Sequence, residues 1–244
     1  MTIRIAMWSG PRNLSTAMMR SFGSRADTSV TDEPFYGAYL KATGDPQPMA
    51  DAVIAAMDCD WSSVARSLTG PSPDNAPIWY QKHMAHHMVG PVAHDDLPGL
   101  THAFLIRDPV RVVASYAAKR EAVRPEHLGI ARQVDYFDRE ADRLGHAPPV
   151  IDSADVLDNP AAMLAALCTA LGIDWDPVML AWESGLRPTD GIWASHWYDG
   201  VSASIGFGPV DPQPIKLEAA EQAVADACRP DYDYLSRYAL TAVV

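Results

Sequence analysis

Short apolar runs alternate along the chain with longer stretches in which apolar residues recur at helical spacing. Five apolar, β-prone runs predict strands at residues 3–8, 28–31, 78–82, 101–106 and 149–151. Helices are predicted from about 14–16 onward and over 35–42, 49–57, 61–68, 109–120, 125–144, 161–171, 177–184, 215–228 and 230–238. Strands that alternate with helices predict a three-layer α/β/α fold with a central, mostly parallel sheet.

The first strand passes into the first helix through the polar turn at residues 9–13. Such a turn leaves the first backbone N–H groups of the helix unpaired at the positive end of its dipole, which favours an anion. Arg12 adds donors suited to phosphate or sulfate oxygens, and Ser15 and Thr16 add hydroxyls. The turn lacks the Lys and second Gly of ATP-binding loops, which weakens simple nucleoside triphosphate binding. The alternative is an ordinary turn with Thr16 as a helix cap.

A second corner of the same kind follows the fourth predicted strand. Arg107 ends the strand, Asp108 is suited to cap the next helix, and Pro109 takes its first position. Ser115 lies further along this helix. Since the carboxyl ends of parallel strands meet at one edge of a sheet, the two corners could hold the two ends of one phosphorylated ligand.

Groups suited to acid–base chemistry follow the second and third strands. Asp32 and Glu33 emerge at the end of the second strand, although Glu33 could equally open the next helix. Lys82 and a histidine of residues 83–87 are expected to face the same cleft. Three histidines in five residues suggest a metal, but no carboxylate or Cys stands beside them at ligand spacing, so capping or acid–base roles are favoured.

Charge and composition restrict the class of partner. A formal net charge of -12 argues against nucleic acid, so any anionic ligand needs a local cluster of Arg and Lys. The three Cys fit neither a disulfide framework nor a metal site, which predicts reduced thiols and a cytoplasmic protein. The amino-terminal apolar run is too short for a signal peptide, and the longest run, 161–173, is too short to span a bilayer.

Residues 185–214 have little periodicity and many aromatic side chains. A long irregular segment of this kind is typically a lid or a binding segment. The alternative is that the aromatic rings simply cover the end of the core.

Two motifs together resemble those of the sulfotransferase family. The first, at the start of the chain, is a strand, the sequence Gly-Pro-Arg-x-x-Ser-Thr and a helix. The second is a strand followed by Arg-Asp-Pro-x-x-x-x-x-Ser-Tyr at residues 107–116. The resemblance covers the order of elements from residue 1 to about 155 and, more weakly, the stretch 193–207. It implies a P-loop NTPase-like fold, with residues 1–244 as a single domain in which 185–214 covers the cofactor. It also implies 3′-phosphoadenosine 5′-phosphosulfate as the donor, and it requires no metal.

Matching positions imply roles for individual residues. The 5′-phosphosulfate would lie on the first corner and the 3′-phosphate on the second, with Trp193 in the covering segment; the matched residues are Gly10, Pro11, Arg12, Asn13, Leu14, Ser15 and Thr16 at the first corner and Arg107 and Ser115 at the second. Leu14 stands where the usual loop has Gly, so its backbone must accept a geometry that Gly normally supplies.

The resemblance also implies the chemistry. Glu33 matches an acidic residue that many members use as the catalytic base, whereas other members use a His after a Lys, to which Lys82 with His83 or His86 would correspond. The expected reaction moves a sulfuryl group to a hydroxyl or amine of a small-molecule acceptor, with Arg12 on the leaving side. Two alternatives are a P-loop kinase that uses Mg-ATP and a non-catalytic nucleotide-binding protein.

Overall fold

A central parallel sheet organises the protein, whose computed structural model describes residues 2–119, 122–209 and 214–242. Its five strands lie in the order β2-β3-β1-β4-β5. They are β1 (Ile3–Ser9), β2 (Thr28–Asp32), β3 (Ile78–Met84), β4 (Thr101–Ile106) and β5 (Val150–Asp152). The predicted α/β fold class is confirmed.

Helices cover both faces of the sheet. They are α1 (Ser15–Gly23), α2 (Tyr36–Thr43), α3 (Ala50–Ala56), α4 (Trp61–Thr69), α5 (Pro109–Ala117), α6 (Pro125–Leu128), α7 (Ile130–Leu144), α8 (Ser153–Asp158), α9 (Pro160–Leu171), α10 (Ala194–Trp197), α11 (Asp199–Ser202) and α12 (Ala219–Ser236). Short 3-10 turns occupy Pro73–Asn75, Ala85–His87, His94–Asp96 and Pro177–Leu180. Asp108 and Asn159 cap α5 and α9 as their sequence context predicts.

Two hydrophobic cores lie on opposite faces of the sheet, because successive strand residues point to opposite sides. Met7 and Tyr80 pack against α1, α2 and α9 on the first face. Trp8 and Phe104 pack against α4, α5, α7 and α12 on the second. The position of a residue within its strand therefore decides which face, and which possible site, its side chain reaches.

The predicted helix 125–144 is wrong in one respect, since the structure divides it at Gly129 into α6 and α7. Gly129 has a left-handed backbone with φ of 70°, which residues with a side chain rarely adopt. A Cβ there would lie 2.7 Å from the backbone nitrogen of His86. The break therefore allows the chain after β3 to pass close to the helix.

Other predicted helices differ in length. Asp176 caps only a single 3-10 turn, so the helix expected over 177–184 does not form. The two closing helices predicted at 215–228 and 230–238 are one helix, α12, which contains Pro230. The end of the helix predicted over 109–120 lies outside the described residues, which show α5 as far as Ala117. No helix in the described parts of the chain is long and apolar enough to cross a membrane.

A buried polar cluster lies on the second face of the sheet. His94, His102 and Glu140 bring potential metal ligands within 4.8 Å of one another. However, the indole N–H of Trp8 donates to Nδ1 of His102 at 2.8 Å, which leaves the proton of the neutral ring on Nε2. Glu140 accepts from Arg143 at 2.7 Å and pairs with His94 at 3.0 Å. Hydrogen bonds within the cluster thus engage Nδ1 of His102, Nε2 of His94 and both carboxylate oxygens of Glu140.

The same hydrogen bonds shift the pKa values in this cluster. The hydrogen bond to Glu140 raises the pKa of His94 despite its burial. Burial alone would raise the pKa of Glu140, but the hydrogen bonds from Arg143 and His94 outweigh it and lower the pKa to about 2. The imidazolium–carboxylate pair is therefore the favoured state.

We expect Gly129→Ala to destabilise the protein by about 1–3 kcal/mol more than Gly145→Ala. The two glycines share a left-handed backbone, with φ of 70° and 72°, but only Gly129 has neighbours within 4 Å of an added Cβ. Both variants lose conformational freedom, and only the first creates a clash. Urea denaturation of the two variants measures the difference; equal losses would show that the close approach to His86 is unimportant.

We expect Glu140→Gln to destabilise the fold more at about pH 5.5 than at about pH 9. The raised pKa of His94 contributes stability below the unfolded value of 6.5, which is lost as the pH rises through the folded value. The lowered pKa of Glu140 contributes stability above 4.5, which is lost as the pH falls towards about 2. Urea denaturation at both pH values is the measurement, and a pH-independent loss would contradict the ion pair.

Candidate functional site

A cavity of about 250 Å³ lies at the carboxyl edge of β1, β2 and β3. The loop before α1 forms one wall, and residues 191–201 form the opposite wall. Charged and histidine side chains on its surface are Arg12, Glu33, Lys82, His86, His87 and Arg107, and aromatic ones are Tyr36, Tyr116, Trp193, Trp197 and Tyr198. Parallel strands place ligand sites at this edge, as the sequence predicts.

In the loop between β1 and α1, two residues other than glycine have a left-handed backbone. Arg12 has φ of 61° and Leu14 has φ of 68°, each at a cost of about 1–2 kcal/mol for a residue with a side chain. Leu14 precedes α1 and makes no side-chain cap, so Ser15 and Thr16 open the helix towards the cavity. The loop therefore presents unpaired N–H groups and the positive end of the α1 dipole.

Two guanidinium groups join the two corners. Nε of Arg12 donates to the hydroxyl of Ser115 at 3.0 Å, and Nη1 of Arg107 donates to the carbonyl oxygen of Arg12 at 2.6 Å. Burial lowers the pKa of both arginines, and the neighbouring cations Arg111 and Arg12 lower that of Arg107 further. These shifts reflect the burial of both cations and, for Arg107, the repulsion from Arg111 and Arg12; an anion in the cavity would offset both effects.

Lys82 is the centre of a buried charge network. Its Nζ donates to Oδ1 of Asp32 at 2.9 Å, to Oε1 of Glu33 at 2.6 Å and to the hydroxyl of Tyr198 at 2.6 Å. Burial alone would lower the pKa of Lys82, but the two carboxylates outweigh it and raise the pKa. Since an ammonium group has three N–H donors, all of them are engaged by the protein.

Tyr198 and Asp32 complete this network. The hydroxyl of Tyr198 donates to Oδ2 of Asp32 at 2.7 Å and accepts from Nε1 of Trp193 at 3.2 Å. The amide N–H of Gly191 donates to the same Oδ2 at 3.1 Å. Burial raises the pKa of Asp32 in spite of the nearby ammonium. Both oxygens of Asp32 therefore have donors, two of them from the segment that covers the cavity.

Glu33 keeps one carboxylate oxygen free. Its Oε1 accepts from Lys82, whereas Oε2 has no hydrogen-bond partner among the described residues and lies 3.9 Å from Nε2 of His87. The side chain is 11% exposed and lines the cavity. Glu33 itself has a left-handed backbone with φ of 43°, a strain of the kind often found at functional sites. Oε2 is thus the acceptor that the network leaves available.

His87 is buried beside this oxygen. Its ring stacks on Tyr36 and Tyr39 at centroid distances of 4.7 Å and 4.8 Å. Burial, with smaller contributions from Lys82 and His83, holds the pKa of His87 well below the usual value. The ring is therefore neutral at physiological pH.

The structure brings most of the predicted site residues to the cavity. These are Pro11, Arg12, Leu14, Ser15, Thr16, Glu33, Lys82, His86, Arg107 and Trp193. Ser115 contacts the site through Arg12.

His83 is not at the cavity, contrary to expectation. The third strand continues two residues beyond its predicted end, so His83 lies within β3 and points to the face opposite Lys82. Its Nε2 lies 3.1 Å from Oε1 of Gln81, and its ring packs on Trp8 at 4.4 Å. Burial lowers its pKa to about 3.

Gly10 and Asn13 shape the loop but are not among the residues that line the cavity. A Cβ on Gly10 would lie 2.3 Å from the carbonyl oxygen of Leu128, so only Gly permits this close approach. The amide of Asn13 donates to the carbonyl oxygen of Leu105 at 3.2 Å. Both residues therefore contribute to the shape of the loop, and their role in cofactor binding stays a prediction.

Three residues of the site were not selected from the sequence. The sequence predicts Asp32 at this edge of the sheet without indicating a role for it, and His87 only as part of the histidine run. Tyr198 lies in the aromatic segment in which the sequence predicts a site role for Trp193 alone. The clustering of polar aromatic residues at 193–198 was the available signal.

A family model described as a sulfotransferase domain matches residues 3–236. Two curated proteins of Arabidopsis thaliana, Branched-chain-amino-acid aminotransferase-like proteins 1 and 2, are each 32% identical over 234 residues, which is 95% of this chain. The chain spans 41% of the length of these relatives.

Two solved structures share the fold. The sulfotransferase domain from the curacin biosynthetic pathway gives a TM-score of 0.51 at 17% identity, covering 94% of this chain and 98% of that one. A sulfotransferase from Alicyclobacillus acidocaldarius gives a TM-score of 0.55 at 12% identity, covering 97% and 95%. With a family match that covers nearly the whole sequence and a P-loop-like sheet of the same kind, this chain belongs to the sulfotransferase family.

Proposed function

We propose that the protein transfers a sulfuryl group from 3′-phosphoadenosine 5′-phosphosulfate to a hydroxyl or amine of a small acceptor. One observation carries the proposal. One cavity is lined both by a corner with two guanidinium groups at a helix amino terminus and by a carboxylate, Glu33, one oxygen of which has no partner among the described residues. The first arrangement suits an anionic leaving group, and the second suits a base.

The donor would lie along the two joined corners. Arg12, Ser15 and Thr16, with the backbone N–H groups that open α1, are assigned to the 5′-phosphosulfate. Arg107 is assigned to the 3′-phosphate. Ser115 holds Arg12 and so supports the 5′-phosphosulfate side. Negative charge grows on the departing phosphate during transfer, so Arg12 and the amino terminus of α1 stabilise the transition state more than the ground state.

The acceptor would lie beside Glu33. Its oxygen or nitrogen attacks sulfur and loses its proton to Oε2 of Glu33, while the sulfur–oxygen bond to the phosphate breaks and the electron pair remains on 3′-phosphoadenosine 5′-phosphate. Lys82 has no donor left for the substrate, so we assign it to holding Glu33 rather than to contact with the sulfuryl group. His86 and His87 border the same end of the cavity.

The segment from 185 to 209 would act as the cover that the sequence suggests for 185–214. Asp190 pairs with Arg20 of α1 through two hydrogen bonds of 2.5 Å and 2.6 Å, and both side chains are 3% exposed. Trp193 and Tyr198 form part of the cavity wall. A closed wall keeps water from competing with the acceptor.

A kinase remains the principal alternative, and the lining of the cavity favours it less. Mg²⁺ prefers oxygen ligands, especially carboxylates. Among the described residues that line the cavity, Glu33 is the only carboxylate, and its Oε1 is occupied by Lys82. The anion loop also lacks the lysine of ATP-binding loops.

We expect the protein to bind 3′-phosphoadenosine 5′-phosphate without metal and Arg107→Ala to weaken that binding by about 10- to 150-fold. This loss of affinity corresponds to one charge-assisted hydrogen bond between Arg107 and the 3′-phosphate. Calorimetric titration is the measurement, with Arg132→Ala as a control because that arginine is 45% exposed on α7. Failure to bind the bisphosphate, or a preference for Mg-ATP, would overturn the donor assignment and favour the kinase.

We expect Glu33→Gln to lower turnover by about a hundredfold or more, because the acceptor proton loses its base. Binding of 3′-phosphoadenosine 5′-phosphate should be unchanged, since Glu33 is assigned to the acceptor and not to the donor. Release of this product from the donor, with a panel of phenols, alcohols and amines as acceptors, measures turnover. Unchanged turnover would exclude Glu33 as the base, and binding without turnover in the wild type would favour a non-catalytic protein.

A further inference from the structure

We infer that His87 is a specificity-determining residue that makes the site select a hydroxyl acceptor over an amine. Its imidazole N–H holds the acceptor oxygen beside Glu33, a contact that an amine nitrogen cannot make while it attacks sulfur. The inference rests on the proposed function, in which Glu33 takes the acceptor proton, and it narrows that function to one class of nucleophile.

The distance between Glu33 and His87 leaves room for one shared atom. Nε2 of His87 lies 3.9 Å from Oε2 of Glu33, which is too far for a direct hydrogen bond. Two hydrogen bonds of about 2.8 Å from these two atoms meet at roughly a right angle on an atom placed between them. Both side chains line the cavity, so the reacting atom of an acceptor can take this place.

The fold holds both groups in position. Oε1 of Glu33 accepts from Lys82 at 2.6 Å, which fixes the carboxyl group and leaves Oε2 without a hydrogen-bond partner among the described residues. The ring of His87 stacks on Tyr36 at a centroid distance of 4.7 Å and an interplanar angle of 4°, and on Tyr39 at 4.8 Å. Glu33 and His87 therefore present a fixed pair of polar atoms to a ligand.

The surroundings of the ring decide which nitrogen of His87 carries the proton. Nδ1 is buried and has no hydrogen-bond partner in the part of the chain that the structure describes. A proton on Nδ1 would leave a buried donor unpaired and would turn the lone pair of Nε2 towards the oxygen of Glu33, and both effects are unfavourable. A proton on Nε2 faces an acceptor oxygen instead. His87 therefore offers an N–H donor to the cavity at Nε2.

A hydroxyl group matches this pair of atoms, because its oxygen has one O–H donor and two lone pairs. The O–H donates to Oε2 of Glu33, one lone pair accepts from Nε2–H of His87, and the other lone pair forms the bond to sulfur. The hydroxyl proton moves to Oε2. The sulfur–oxygen bond to the phosphate breaks, its electron pair stays on the leaving group, and the proton of His87 remains on Nε2.

An amine does not match the same pair of atoms. A neutral primary amine has a single lone pair, which the bond to sulfur requires, so one of its N–H groups is directed at the N–H of His87. If the ring moved its proton to Nδ1 to avoid this contact, the new donor would be buried without a partner. An ammonium group has no lone pair and cannot attack. The site therefore discriminates by the number of lone pairs on the attacking atom.

The first measurement is the tautomer of His87, determined by nitrogen-15 NMR on the protein labelled at the histidine ring nitrogens. It needs neither donor nor acceptor, and His87→Gln assigns the resonances of His87. We expect the proton on Nε2. A proton on Nδ1 would overturn the inference, because the ring would then have no donor for an acceptor oxygen.

The second measurement compares kcat/KM for acceptors that differ only in the attacking atom, phenol with aniline and benzyl alcohol with benzylamine. We expect the wild type to favour the hydroxyl in each pair. His87→Phe keeps an aromatic ring but removes both nitrogens, so the ratio of hydroxyl to amine kcat/KM should fall by about 10- to 100-fold. The control is His146→Phe, which replaces an exposed histidine and should leave the ratio unchanged.

His87→Gln provides a second test of the same role. Its amide retains an N–H donor, so turnover of the hydroxyl acceptors should exceed that of His87→Phe. The amide also has a carbonyl oxygen that accepts from an amine, so the ratio should still fall below that of the wild type. This variant replaces His87→Phe if the latter does not fold.

The outcomes distinguish two kinds of failure. A preference of the wild type for amines, or an unchanged ratio in both His87 variants, would overturn the role of His87 and leave sulfuryl transfer intact. Absence of transfer to every acceptor would overturn the proposed function and, with it, the selection of a hydroxyl, even with the proton on Nε2.

Discussion

Burial of the Lys82 ammonium group is the constraint on which the candidate site depends. A charge removed from water costs several kcal/mol unless it is paired and fully hydrogen-bonded. Three acceptors meet this requirement, and the sheet brings two of them together because β2 ends beside β3 with Asp32 in register with Lys82. Loss of any one acceptor leaves a buried donor or charge without a partner. The network therefore fixes the position of Glu33 and the order of the neighbouring strand ends.

The covering segment is attached to this same network. Tyr198 and Gly191 donate hydrogen bonds to Asp32, and Asp190 forms a buried ion pair with Arg20 in the last turn of α1. Displacement of the segment would expose or unpair several charged groups at once. The wall of the cavity and the carboxylate of Glu33 are consequently parts of one cooperative unit, so the position of Glu33 depends on residues 190–198.

Local sequence signals are sufficient for the strands, the two strand-to-helix corners and the caps at Asp108 and Asn159, because these features depend on residues a few positions apart. The orientation of His83 is not predicted, because the third strand is expected to end at Lys82. The strand continues to Met84, and the alternation of side chains along it directs His83 to the face opposite Lys82. The break at Gly129 depends on the backbone of His86, which only the folded chain brings near. Tyr198 reaches Lys82 across 116 residues, a pairing that no periodicity reveals.

The shape of the acceptor cage around Lys82 explains why the site contains two kinds of cation. An ammonium group is compact and directs three donors towards the corners of a tetrahedron, which Asp32, Glu33 and Tyr198 fill. A guanidinium is planar, longer and has five donors, so arginine at this position would neither fit the cage nor satisfy its own hydrogen bonds. Arginine stands where the side chain lines the cavity, at residues 12 and 107, and lysine stands where the protein encloses the charge. The two cations are not interchangeable between these places.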